Sequence, residues 1–516
     1  MKKTTRLVVW GFLIVFSGAF IFRCNQGSDL TPKKNQPDLT SAEVDRLILL
    51  DTNYLYPVAS ATKDAIKIAA DLDQEDARKG NNIKRSIGQV ISYSIPDTIK
   101  FPKSTNRKND PGFYVFNFSN NNGFAIISGD ERVMGVLGSS GKGVIDNSEN
   151  SPSTGLRFFM SRVVDHIQSR RMAVESMRGD SAYVNLIHKL NSFHLKNDPT
   201  QRDASAQQTV PCNQAQQART SSTPCNQGCT LTPITSLLST STSTNTIVSP
   251  IIQTQWDQIP PYNNNFASGS NLISGGCSPR YGYCQSINSN YYAGCVPVSE
   301  AQVVANYFAR KNAAWASITS TDICSMNATQ VGQVASLIKG VYNLYDIKFM
   351  SCQQGTATFD NSFFGMTDDN AISPINGLVQ GEWRGYNNGD LEASLKQNSP
   401  VLVIGSQHQW CVFFNWGCGP DLTCMHQWIM DGMQTVNQVY TYSVLPVNYA
   451  SCSYLPSYTY TTNTILSTNI HNNWGWGPYG GNGWYTEGAF GGPGANPPAN
   501  NAFNHNDKII AYITAL

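Results

Sequence analysis

The chain has 516 residues, enough for two or three domains that each bury a core, and a formal net charge of +1, which argues against a nucleic-acid or polyanion partner. The charge is unevenly placed. Residues 1–250 carry 28 Lys and Arg against 21 Asp and Glu, and residues 251–516 carry 8 against 14. Halves of opposite sign attract, as a covering segment and the unit beneath it would, although two unrelated solvated surfaces give the same counts.

In chain order, Lys2, Lys3 and Arg6 precede an apolar run from Leu7 to Phe22, the pattern of a secretory signal. At about 16 residues the run is short for a membrane span, with a signal anchor left open. Cys24 and a polar stretch follow, resembling a bacterial lipoprotein start, although Arg23 just before the cysteine departs from that pattern. Residues 1–24 are therefore expected to direct export to the cell surface or beyond, with lipid anchoring through Cys24 as an alternative. Thirteen cysteines fit an oxidising compartment and disulfide bonds, of unreadable connectivity.

Residues 25–37 read as a polar tether. A helix is expected from Thr40 to about Leu72, with Ser41 as its N-cap. Strand-like Phe113–Phe118, a turn at Ser119–Gly123 and Phe124–Ser128 form a hairpin pattern, and Val133–Leu137 is a further strand candidate. Residues 155–177 place Leu156, Phe159, Val163, Val164 and Ile167 on one helical face. Residues 38–195 are thus expected to be one α+β domain. Residues 196–249 are rich in Gln, Ser, Thr and Pro and read as an exposed linker open to proteolysis, flexible over Thr240–Asn245. Cys212, Cys225 and Cys229 could staple it; a zinc site there is disfavoured because no histidine lies nearby. From residue 250 to 516 the composition shifts to Asn, Tyr, Trp and Gly, marking a second domain.

Chemistry concentrates in that second domain. Val298, Ala301, Val304, Tyr307 and Phe308 recur at helical spacing, and Pro297 suits a first helical turn. Cys295 is therefore expected at a helix N-terminus, where the helix dipole favours thiolate over thiol. A disulfide role is the plainer alternative for a lone cysteine. Candidate bases are His408, His426, His471 and His505. His426 opens an apolar strand that ends at an expected Asp431-Gly432 turn, and His471 opens the run His-Asn-Asn-Trp-Gly-Trp-Gly. An asparagine can hold an imidazole in one tautomer while a tryptophan covers that bond. His408 repeats the tripeptide found at His426 but lacks the Asp-Gly pair, so His426 is preferred.

Several segments together resemble the streptopain family of papain-like cysteine peptidases. They are Gly294-Cys295-Val296-Pro297 with Ala301-Gln302, His426 with Asp431-Gly432, and Asn473-Trp474-Gly475-Trp476-Gly477. Gln258 with Pro261-Tyr262-Asn263, some 37 residues before the cysteine, is similar to a further family motif. The tract from Tyr114 to Asp130 resembles the family's inhibitory prodomain. The resemblance implies an α+β fold in which a papain-like domain, a central helix packed on an antiparallel sheet, follows a smaller α+β prodomain. It implies a zymogen that hydrolyses protein substrates, with its own prodomain as intramolecular inhibitor. It assigns Cys295 as nucleophile, His426 as base, Asn473 as the group orienting His426, Trp474 as its shield and Gln258 as an oxyanion-hole side chain. No cofactor or metal is implied, and a reductant would keep Cys295 as a thiol. Departures are Met425 where the family has glycine, Glu300 in the nucleophile helix, and long insertions before His426 and between Gly432 and His471. Helical spacing turns Glu300 away from Cys295, so only a slight rise in the thiol pKa is expected from it. A catalytically silent protein that binds polypeptide or glycan, and an acyl transferase using the same dyad, are the competing readings.

Overall fold

The computed structural model describes residues 39–50, 54–95, 111–133, 135–145, 154–197, 234–268, 280–281, 287–344, 347–351, 355–358, 379–406, 409–411, 418–420, 425–448, 453–490 and 508–515. The export segment, the tether, the three linker cysteines, His408 and His505 lie outside these. Among the described residues no helix is long and apolar enough to cross a membrane.

The N-terminal half opens with two helices, α1 (Ser41–Ile48) and α2 (Val58–Arg78), in place of the single helix expected over this stretch. Thr40, not Ser41, is the first N-cap. Glu43 stands three residues after Thr40, so the threonine hydroxyl accepts from Glu43 N while the Glu43 carboxylate accepts from Thr40 N at 2.8 Å. The break before α2 falls at Pro57, whose backbone is extended and opens the second helix.

Strands β1 (Ile87–Ser94), β2 (Pro111–Phe118), β3 (Phe124–Ser128) and β4 (Val136–Ser140) follow as an antiparallel meander. The expected hairpin is β2–β3. Its turn uses left-handed Asn120 and Asn121, and Gly123 at φ 103° sits where a Cβ would come within 2.0 Å of the Ser140 carbonyl. Helices α3 (Thr154–Ser176) and α4 (Ser181–Asn197) complete this half. In α3 the face read from the sequence is inward: Leu156, Phe159, Val163 and Ile167 are buried.

Residues 234–248, assigned to an exposed linker by their polarity, instead form strand β5 (Ile234–Val248). Thr, Ile and Val dominate its second half, and β-branched residues suit a pleated edge. The second half then supplies helices α5 (Cys295–Ala309), α6 (Ala313–Ser320) and α7 (Ala328–Leu344). Strand β6 (Val379–Gly385), helix α8 (Asn388–Lys396) and strands β7 (Val401–Ser406), β8 (Met425–Leu445), β9 (Tyr458–Asn473), β10 (Gly483–Thr486) and β11 (Lys508–Ala515) complete it.

Eleven strands form one antiparallel sheet in the order β1-β2-β3-β4-β10-β9-β8-β7-β11-β6, with β5 against the outer part of β8. The two halves meet in this sheet where β4 pairs with β10, Ser139 opposite Trp484. Helix α5 is buried nearly all round. Val303, Val304 and Tyr307 pack on Leu402, Ile429 and Ile513 of the sheet, while Val298, Ala301 and Ala305 pack toward α6 and α7. The α+β class expected from the sequence is therefore present, with a central helix on an antiparallel sheet preceded by a smaller α+β unit.

Candidate active site

Gly294 caps α5 at φ 94° and ψ 152°, a conformation that suits glycine, and Cys295 is the first helical residue as the spacing predicts. Cys295 is a half-buried free thiol. Burial pushes its pKa up. The backbone N–H groups of Gln427, Val296 and Cys295 itself pull it down, and Glu300 adds a smaller push upward. Gln427 was not singled out from the sequence. Its side-chain amide donates to Ser299 Oγ at 3.0 Å and to Glu300 Oε1 at 3.1 Å, so the strand is bolted to the nucleophile helix. Glu300 is thus buried beside the site, and its effect on the thiol is the slight one expected. Glu300→Gln keeps an oxygen for the Gln427 amide and removes the charge. The pH profile of Cys295 alkylation by iodoacetamide is expected to move to lower pH, and an unmoved profile would refute the coupling.

His426 follows Met425 at the start of β8 and is buried. Successive strand residues face opposite ways. Gln427 points at α5, so His426 and Trp428 share the other face, their rings parallel with centroids 6.1 Å apart. His426 Nε2 lies 2.9 Å from the Trp474 carbonyl oxygen. A carbonyl only accepts, so this bond places the proton on Nε2 and leaves the Nδ1 lone pair as the basic position. Burial pushes the His426 pKa down to about 4, against the upward pull of that bond. Among the described residues no hydrogen bond or ion pair joins the His426 ring to the Cys295 sulfur. The aromatic surface on which His426 lies includes Trp428 and Trp474, which belong to the same buried cluster as Leu156, Phe159 and Val163 of α3.

Among the described residues Asn473 makes no hydrogen bond to His426. Its amide donates to the Thr254 carbonyl at 2.7 Å and to Gln302 Oε1 at 3.1 Å, and its oxygen accepts from Gly475 N at 3.2 Å. The group that holds the imidazole is instead the next residue's main chain. Asn473 is the last residue of β9, where its side chain is directed toward α5 and the Thr254 segment, so the carbonyl of Trp474 in the following turn is the one that reaches Nε2. Trp474 is fully buried, its ring centroid 6.4 Å from that of His426.

The turn after β9 needs its glycines. Gly475 and Gly477 have φ of 70° and 69°, and a Cβ on Gly477 would lie 2.8 Å from Asp257 Oδ2. That close approach, with Gly477 N donating to the Trp256 carbonyl at 3.0 Å, brings the Gln258 segment to the site. Gln258 is buried, its amide 3.4 Å from the Gly475 carbonyl, and its own carbonyl accepts from Ala293 N two residues before Cys295. Asp257, also unflagged by the sequence, is pushed up to about 6 by burial while it accepts from the Gln258 and Ile259 N–H groups.

The Asp431-Gly432 pair is not a turn. Strand β8 runs through it with a bulge, and Asp431, fully buried, accepts from Ile252 N at 2.8 Å and lies 2.6 Å from His471 Nδ1. Gly432 leaves no room for a side chain, since a Cβ there would meet His471, Trp484 and the Val248 carbonyl at 3.0–3.1 Å. His471 is thereby committed to a structural pair away from the Cys295 sulfur.

Residues 58–167 match the family of Spi protease inhibitors. No curated protein matches the sequence. Among solved structures, a fragment of prointerpain A from Prevotella intermedia, in a mutant form, aligns with a TM-score of 0.38 at 13% identity, covering 79% of this chain and 96% of that one. The segment that matches the Spi inhibitor family thus lies in the N-terminal half, ahead in sequence of the half that holds Cys295 and His426.

Proposed function

We propose that the chain is an exported cysteine endopeptidase of streptopain type, made as a latent zymogen. Residues 38–195 act as the inhibitory prodomain and residues 250–516 as the papain-like catalytic unit, with maturation cleavage in the connecting segment ahead of β5. The observation that carries this reading is the packing of His426. Trp428 and Trp474, against which it lies, share one buried cluster with α3 side chains that fall within the inhibitor-family match, and among the described residues no hydrogen bond joins the imidazole to the Cys295 sulfur. A raised thiol and a depressed imidazole describe two neutral groups held uncoupled, the condition expected of a covered enzyme.

With the inhibitor unit gone, the His426 ring is free to turn its Nδ1 toward Cys295. The sulfur attacks the scissile carbonyl as its proton passes to His426, and the imidazolium then protonates the departing amine. A thioester remains, which water hydrolyses. In the latent form the Trp474 carbonyl holds Nε2. Gln258 Nε2 and the Cys295 N–H are the donors assigned to the oxyanion, each worth about 2.7–4 kcal/mol in comparable sites. The substrates are polypeptides, and no cofactor is required. Export, through residues 1–24 and with or without a lipid on Cys24, accords with the disulfide formed by Cys324.

The same two pKa directions also suit a catalytically silent binder that has kept the fold. Casein hydrolysis separates them, measured under reducing conditions on the intact chain and on protein from which limited proteolysis has removed the N-terminal unit. Activity confined to the trimmed form is the expected result. Equal rates for both forms would refute latency, and no hydrolysis by either would favour the binder.

A further inference from the structure

The long insertion between Gly432 and His471 is not a loop. Strands β8 and β9 continue outward as a paired hairpin from Met433 opposite Ile470 to Val444 opposite Tyr458, and β5 lies along the free edge of β8. The three strands form an arm projecting beyond the site. One face of the arm offers Tyr440, Tyr442 and Val444 of β8 with Tyr460 of β9, all buried. What buries them is the N-terminal half: Leu47 of α1, Leu50 just after that helix, and Leu186 and Leu190 of α4. These two helices arrive as one body, joined by Arg46–Asp180 at 2.6 Å and Lys189–Glu43 at 2.9 Å.

A second contact lies further along. Thr242 of β5 donates to Asp64 of α2 at 2.8 Å, and Asp64 also accepts from Tyr56 at 2.6 Å, so its buried carboxyl is satisfied only when both strand and helix are present. Val436 and Leu237 extend the same apolar core.

We propose that this arm is a dock that retains the inhibitor unit after the connecting chain has been cut. Any cut between residues 198 and 233 falls ahead of β5, so β5 stays on the enzyme side, still paired with β8 from Leu445 to Met433. The dock therefore survives the cut whole. An intact connection contributes only effective concentration, whereas the buried Leu–Tyr contact and the Asp64–Thr242 bond act without it. Cleavage is then required for maturation but does not itself release the inhibitor. Release needs destruction of the inhibitor unit or displacement of α1 and α4 from the arm.

This rests on the zymogen reading for its meaning, but the test is read without peptidase activity. A recognition sequence for a site-specific protease is inserted between Asn213 and Pro224, the full chain is cut there, and the fragments are followed by gel filtration at micromolar concentration. The expected result is co-elution of both fragments, with Cys295 alkylated at the rate of the uncut chain. Leu186→Asp with Leu190→Asp leaves the enzyme half unaltered and is expected to weaken retention by about 100-fold or more, so that the cut fragments separate. Should that double variant fail to fold, replacing residues 438–464 by an Asn-Gly turn removes the other side of the contact, with the same separation expected. Separation of the fragments of the otherwise unaltered chain would overturn the proposal. So would co-elution that persists with the arm shortened, since β4–β10 pairing alone would then account for retention.

Discussion

Cys295→Ala is expected to lower kcat for casein by about 10⁶-fold in the trimmed enzyme, the loss that removal of a nucleophile gives in a comparable hydrolase. No other described residue can substitute. Cys295 is the free cysteine of the described set and stands at a helix N-terminus, where backbone N–H groups pull its pKa down against burial. The fold should hardly notice. The side chain is half-buried and alanine keeps its helical preference, so the change in unfolding free energy is expected to stay within about 1 kcal/mol. Urea unfolding of both proteins checks this second half, and a large loss of stability would mean that the thiol is structural.

His426→Ala is expected to cost about 10⁴-fold or more in the same assay, because the thiol then has neither a base nor an imidazolium partner. The native residue also leaves a signature in stability that activity does not report. Its folded pKa of about 4 lies below the ordinary value of 6.5, so the unfolded chain takes up the proton first as pH falls. Stability associated with the neutral ring is therefore complete above pH 6.5 and is lost as pH falls toward 4, by roughly 3 kcal/mol at most. Asp257 and Glu487, pushed up to about 6 and about 8 by burial, act in the opposite sense, favouring the fold as pH falls. The informative quantity is thus the difference between the native chain and His426→Phe, measured by urea unfolding at pH 7 and pH 4.5. A native chain that loses no more stability than the phenylalanine variant would place the imidazole in water, contrary to its packing.

Local signals in the chain determined the β2–β3 hairpin, the inward face of α3 and the start of α5 at Cys295. Each depends on periodicity, turn residues or a proline within a few positions, and such signals are complete in the segment that carries them. The strand that His426 opens was legible for a related reason, since it and the Asn473–Gly477 turn are both strongly patterned. What the turn does was not legible. Which atom faces His426 Nε2 depends on the direction of a side chain at the end of β9, and the tertiary packing committed Asn473 to Thr254 and Gln302, leaving the carbonyl of Trp474 to hold the ring.

Partners distant in sequence escaped for the same reason. Gln427 reads as an ordinary strand residue until α5 places Ser299 and Glu300 opposite it, and Asp431-Gly432 reads as a turn until His471 and Ile252 are seen to hold it in a bulge. The polar tract at 234–248 shows the limit most clearly. Composition alone made it a linker, because Ser and Thr are abundant wherever chains are exposed. Only the free edge of β8, supplied some 190 residues later in the chain, gives its backbone hydrogen bonds a partner and turns its β-branched threonines into a strand.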